Sequence, residues 1–189
     1  MFSLVIFNGS LRKGQYTQHV TALVTGVAEA HPEFSVTVLD PRSLSLTWDN
    51  EGTAARPAGL KETIANADAF VIVTPEYNHG YPGSLKYMLD LSLKEYIHKP
   101  VAFVGVSKGP FGGTRVIESL VPVVRELGLV ATFQDVNVSN VQEEVNEHGE
   151  WQDASKWERR IEKLLSELLW MTKALSTARQ QDEHTAEQS

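Results

Sequence analysis

Three short, almost wholly apolar runs, Leu4–Phe7, Ala69–Val73 and Val101–Val106, constrain this chain most. A strand that is apolar on both faces must be covered on both faces, which is the condition of a parallel sheet lying between layers of helices. Phe34–Leu39 and Leu129–Phe133 supply two further strands. Segments with helical spacing fall between and after them: Gln15–Ala30, with Val20, Leu23, Val24 and Val27 on one stripe; Leu60–Ala67; Ser84–Leu93, with Ser84 as its cap; and Thr114–Leu127. Pro122 inside the last of these predicts a kink or an early break. Asp153 to about Leu175 reads as a long amphipathic helix, with Trp157, Ile161, Leu164, Leu165, Leu168 and Leu169 facing inward. Residues 41–58 read as a long connection with Trp48 pinned on the surface, and Gln134–Glu150 has no clear period. Strand–helix alternation of this kind predicts an α/β, doubly wound parallel sheet with helices on both faces, in which ligands sit beyond the carboxyl ends of the strands. Residues 1–175 form the single expected domain, and 176–189 a polar, flexible tail.

The composition removes several function classes. The 189 residues fit one domain with a sizeable core. A net charge of -7 argues against broad nucleic-acid binding but leaves room for a local basic pocket. The absence of cysteine excludes disulfides, thiol catalysis and thiolate metal sites. No apolar run approaches a membrane span, and the first residues already read as a strand, so the expectation is a cytoplasmic protein with no membrane partner. Asn8-Gly9-Ser10 and Asn137-Val138-Ser139 match the glycosylation pattern only by chance in that setting.

Three loops follow strand ends on what must be one edge of the sheet. In the first, Asn8–Gly14, Ser10, Gln15 and Thr17 offer hydrogen-bond donors and Arg12 a fork for phosphate oxygens, at the start of a helix. Gly9-x-x-x-x-Gly14 approaches a triphosphate loop, but Gln15-Tyr16 stands where lysine and a magnesium-binding hydroxyl are needed, so a monophosphate fits better. In the second, Thr74–Gly83, two prolines stiffen a backbone that carries Glu76, Tyr77, Asn78 and His79; His79 has no companion at metal-ligand spacing. In the third, Gly105-Val106-Ser107-Lys108-Gly109 fits a nucleophile elbow, and Asp135 and His148 follow in hydrolase order. The glycines after Ser107 are better read as backbone donors to a ring or carbonyl. No dinucleotide G-x-G-x-x-G is present.

These loops together resemble the NADPH-dependent FMN reductase family, which includes azo, quinone and chromate reductases. The resemblance rests on Gly9-Ser10-Leu11-Arg12-Lys13-Gly14, on Pro75 through Lys86, and on Ser107-Lys108-Gly109 with Gly112-Gly113-Thr114-Arg115. It implies a flavodoxin-like five-stranded sheet of order 2-1-3-4-5. It implies that Ser10, Arg12, Gln15, Tyr16 and Thr17 hold the FMN phosphate, that Pro75, Glu76, Tyr77, Asn78 and His79 line the flavin ring, and that Ser107, Gly109 and Gly112 close over its far edge. Gln15 and Thr17 depart from the usual serine and asparagine but still donate hydrogen bonds. Tyr87 and Leu120-Val121 depart where family members assemble, commonly as a homodimer or homotetramer. The implied activity is hydride transfer from NADPH or NADH through FMN, in ping-pong order, to a small-molecule electron acceptor: a quinone, azo compound, chromate or free flavin. The flavin carries the chemistry, so no side chain is assigned as catalytic. The alternatives are a flavodoxin-like electron carrier, disfavoured by Arg12, and a serine hydrolase at Ser107.

Overall fold

The structure, a computed structural model, describes residues 1–44, 46 and 57–187, with side chains through Asp182. Strand β1 (Phe2–Asn8) leads through helix α1 (Thr17–Glu29) to β2 (Phe34–Leu39). After the connection come α2 (Leu60–Asn66), β3 (Ala69–Pro75), α3 (Gly83–Asp90), a single 3-10 turn, β4 (Pro100–Val106) and α4 (Thr114–Glu126). The chain ends with β5 (Val130–Ala131), β6 (Val136–Val138), α5 (Val141–Glu144) and α6 (Ala154–Glu187). The strands pair in parallel in the order β2-β1-β3-β4-β5, with β6 also on β4. The expected order is therefore observed.

Every residue of β3 and β4 is buried, which is why their sequences show no alternation. The two-residue period reappears in the packing. Leu4, Ile6, Val71, Val73, Ala102 and Val104 face α1 and α6, where Val20, Val24, Trp157, Ile161 and Leu164 meet them. Val5, Phe7, Phe70, Ile72, Val101 and Phe103 face the other way, onto α2, α3 and α4 through Ile64, Met88, Leu89 and Leu120.

Five expectations are corrected. The fifth strand is not one run over Leu129–Phe133: it is split into β5, opposite Pro100–Val101, and β6, opposite Val104–Val106. Phe133 reads as a strand residue because it is apolar, but it sits 81% exposed in the excursion between the two halves. Part of the unassigned Gln134–Glu150 stretch is thus sheet. Pro122 does not break α4, which runs unbroken from Thr114 to Glu126. Pro122 and Glu118 both lie on the exposed side, where the carbonyl that the missing N–H leaves free is open to solvent. Ser84 does not cap α3: it lies within the first turn, after Pro82, and its hydroxyl donates to the Gly9 carbonyl at 3.3 Å. Helix α3 also ends at Asp90, short of Leu93. Helix α6 continues past Leu175 to Glu187, carried by good helix formers and docked by Arg179, whose Nη1 donates to the His98 carbonyl at 2.7 Å. Trp48 lies outside the described residues. No described helix is long and apolar enough to cross a membrane.

The register sets the site. Asn8 stands opposite Val73, Thr74 opposite Gly105 and Pro75 opposite Val106, so three strands end level and their loops leave from one edge.

Candidate functional site

The loop after β1 is built to turn tightly and to hold its shape. The Gly9 N–H donates to the Val73 carbonyl at 2.8 Å, prolonging the β1–β3 pairing by one residue. A methyl group at Gly9 would lie 2.9 Å from both Thr74 Oγ1 and Val73 O, so the position requires glycine. Gln15 folds back, its Nε2 donating to the Ser10 carbonyl at 2.8 Å and closing the loop, while its Oε1 is buried without a partner. Helix α1 then starts at Thr17 with no side-chain cap and no acidic residue in its first turn. Its unpaired N–H groups and positive dipole end are left to an outside anion.

The second loop is a two-residue hairpin. Tyr77 and Gly80 exchange backbone hydrogen bonds of 2.9 Å each, and Asn78 and His79 take φ of 49° and 66° at its tip. That left-handed pair is the type I′ geometry, which asparagine and histidine adopt more readily than most side chains. Glu76 anchors the hairpin: its N–H donates to the Val106 carbonyl at 3.1 Å. Its largely buried carboxylate lies 3.3 Å from Arg115 through Oε1 and keeps Oε2 unpaired. Arg115 in turn lies 4.3 Å from the centre of the Phe111 ring.

The third loop is tied to β6 and α5. The Ser107 N–H donates to the Val138 carbonyl at 3.0 Å, and the Ser107 hydroxyl donates to the Gly109 carbonyl at 2.9 Å. This corrects the hydrolase alternative: the hydroxyl is spent on a backbone carbonyl rather than an imidazole, and His148 lies exposed in a turn whose N–H is held by Asn146. Asp135 is separate again, its Oδ1 buried without a partner and its carboxyl pushed up to about 6 by burial and by Glu118.

Between these loops lies a cleft of about 320 Å³. It brings together Arg12, Gln15, Tyr16, Thr17, Pro75, Glu76, Tyr77 and Ser107 of the expected site residues. A second hollow, about 420 Å³, lies against Arg12, Glu76, Tyr77 and Asn78. Ser10 is only 1% exposed and does not line the cleft, because its hydroxyl is bonded to Tyr77 Oη at 3.0 Å. His79 is exposed at the hairpin tip, Gly109 serves as an acceptor within its own loop, and Gly112 is buried against Asn137; none of the three lines the cleft.

Lys13, Gly14, Val106, Lys108 and Val141 line the cleft without having been expected. Lys13 and Lys108 sit inside quoted motifs and could have been found as charges beside phosphate donors. Val141 could not, since α5 rises from a segment with no period. A groove of about 400 Å³ between α1 and α6 is larger but lined by Leu23, Val27 and Leu165 beside Glu158 and Glu162, with no lysine or arginine among its lining residues.

A parallel sheet of order 2-1-3-4-5, opening at its carboxyl edge into a cleft with an uncapped helix start and a basic rim, defines a flavodoxin-like α/β protein. Residues 2–143 match the family model described as NADPH-dependent FMN reductase, and the chain belongs to that family. It is 33% identical over 118 residues to an NADPH azoreductase of Bacillus sp. (strain OY1-2), spanning 62% of this chain and 65% of that one. It is 30% identical over 155 residues to a 2-hydroxy-1,4-benzoquinone reductase of Burkholderia sp., spanning 78% and 79%. The chain thus spans just under two thirds of the azoreductase. The fold is shared with FerB, a flavoenzyme NAD(P)H:(acceptor) oxidoreductase from Paracoccus denitrificans, at a TM-score of 0.73, 22% identity, and 92% and 98% coverage.

Proposed function

We propose that this chain is an NAD(P)H-dependent oxidoreductase that holds FMN in the cleft between its three carboxyl-edge loops. One observation carries the reading: an α1 start with neither cap nor acidic residue opens into a cleft rimmed by Arg12, Lys13 and Lys108. That donor set fits a phosphate monoester, and the buried, unpaired acceptors Gln15 Oε1 and Glu76 Oε2 fit a ligand that also brings N–H or O–H donors.

Arg12 and Lys13 would neutralise the phosphate and Thr17 would hydrogen-bond it at the start of α1, with Gln15 holding the loop closed through the Ser10 carbonyl. Pro75, Glu76, Tyr77 and Asn78 would form the wall for a flat ring, and Ser107 and Lys108 would close the opposite side. Gly109 and Gly112 shape the third loop from behind, and His79 sits at the rim. FMN would supply the redox chemistry that couples oxidation of NADPH or NADH, in ping-pong order, to reduction of a quinone, azo compound, chromate or free flavin. The relatives named azoreductase and benzoquinone reductase support that acceptor class. A cytoplasmic location and a homodimer or homotetramer complete the proposal.

Purified protein should show flavin absorbance, or bind added FMN, and oxidise NADPH or NADH when given an acceptor from that panel. Absence of both flavin binding and NAD(P)H oxidation refutes the reading. Light scattering decides the assembly.

A further inference from the structure

Ser10 heads the loop of phosphate donors, yet its hydroxyl is enclosed. Ser10 is 1% exposed, and its Oγ accepts the Arg12 N–H at 3.2 Å and is bonded to Tyr77 Oη at 3.0 Å across the cleft. A hydroxyl has one proton and two lone pairs. With two of these three taken and no surface left open, Ser10 meets a ligand only after its cover moves.

The mobile part of that cover is the Tyr77 side chain. Ser10 is held from behind by Gln15, and the Tyr77 backbone is fixed by its reciprocal bonds to Gly80. Tyr77, by contrast, is 37% exposed as a residue. It also stands where the cleft of about 320 Å³ and the hollow of about 420 Å³ adjoin, since both are lined by Arg12, Glu76 and Tyr77.

We infer that the Ser10–Tyr77 hydrogen bond is a latch across the ligand cleft: a ligand phosphate displaces Tyr77 Oη from Ser10, and the swing of Tyr77 joins the two hollows into one trench. This rests on the FMN reading of the cleft and adds to it an ordered opening. The opening is a side-chain rotation on a fixed hairpin, so the protein with the latch closed has the same backbone as the protein ready to bind. The affinity measured for the ligand is then the affinity of the open form multiplied by the fraction of molecules open.

The test is FMN binding by the full chain, followed by quenching of flavin fluorescence in stopped flow and at equilibrium. Tyr77→Phe keeps the ring and deletes the latch. Its expected effect is a faster association and an affinity raised about 3- to 10-fold, the range of one hydrogen bond's net contribution. In a Ser10→Ala background there is no latch to delete, so adding Tyr77→Phe should leave the association rate unchanged. Unchanged or weaker binding by Tyr77→Phe overturns the latch, the weaker result making the Tyr77 hydroxyl a ligand contact instead. A gain that persists in the Ser10→Ala background also overturns it. Failure of both the wild-type chain and Tyr77→Phe to bind FMN refutes the cleft reading itself, and the latch with it.

Discussion

Arg12 touches the rest of the site through its backbone: its N–H reaches Ser10 Oγ, and its side chain stays exposed where both hollows meet. Removing that side chain leaves the loop's hydrogen bonds in place. Arg12→Ala should therefore weaken FMN binding by about 1.5–3 kcal/mol, the value of a charge-assisted contact, with no loss of stability. Titration calorimetry checks the first part and urea denaturation the second; full affinity in the variant would move the phosphate elsewhere. Gly105 illustrates the opposite kind of residue. In sequence it belongs to an elbow pattern around Ser107, a catalytic suggestion. In the fold its role is packing: a methyl group there would lie 2.6 Å from the Gly112 carbonyl oxygen and 3.0 Å from that of Gly113. Gly105→Ala should cost about 1–3 kcal/mol of stability by denaturant titration, as for overpacking against backbone that cannot yield. A string of glycines does not say whether each one approaches a ligand or another part of the chain, and only the contact distances decide.

At the scale of elements, strands and helices follow from periodicity wherever a segment is buried on a whole face. Helices α1, α4 and α6 were legible for that reason, and so were β1, β3 and β4. Edges are different. Strand β5 is separated from β6 by four residues, Thr132–Asp135, and nothing in the local pattern announces the return at Val136. Helix α4 carries a proline that local rules forbid but an exposed face tolerates. That tolerance has a cost, so Pro122→Ala should raise stability by about 1–3 kcal/mol, readable as a higher denaturation midpoint at unchanged slope. A lower midpoint would mean that Pro122 contributes through the unfolded chain instead. The start of α1 shows a third relation: what matters there is the absence of a cap, and an absence becomes meaningful only once the cleft in front of it is seen.

At the scale of the molecule, two buried charges shape the response to pH. Burial and Glu118 push the Asp135 carboxyl up to about 6. Burial and the neighbouring Arg179, partly offset by Asp68 and Glu95, push the Lys99 ammonium down to about 8, although its Nζ donates to the Ile64 and Ala65 carbonyls. For Asp135 the native state binds more protons than the unfolded chain between its ordinary value of 3.8 and about 6, so its contribution to stability falls as pH rises through that window. For Lys99 the unfolded chain binds more protons between about 8 and 10.5, so its contribution rises there. Both groups are charged at neutral pH and both are destabilising in that state. Asp135→Asn should therefore flatten the fall between pH 4 and 6 and raise stability at pH 7 by about 1–2 kcal/mol, after discounting for its partial exposure. Thermal melts across that range test it, and an unchanged slope would refute it.

The sequence alone determined the architecture. Strands apolar on both faces admit only a sheet covered on both sides, and alternation with helices makes it parallel. The phosphate-donor loop, the hairpin and the glycine-rich loop were legible as motifs, and their common edge followed from topology. Tertiary structure decided which members of those motifs reach the cleft. Burial and distance are properties of pairs of segments far apart in the chain: Ser10 is closed off by Tyr77 and Gly112 by Asn137, while Val141 arrives at the wall unannounced.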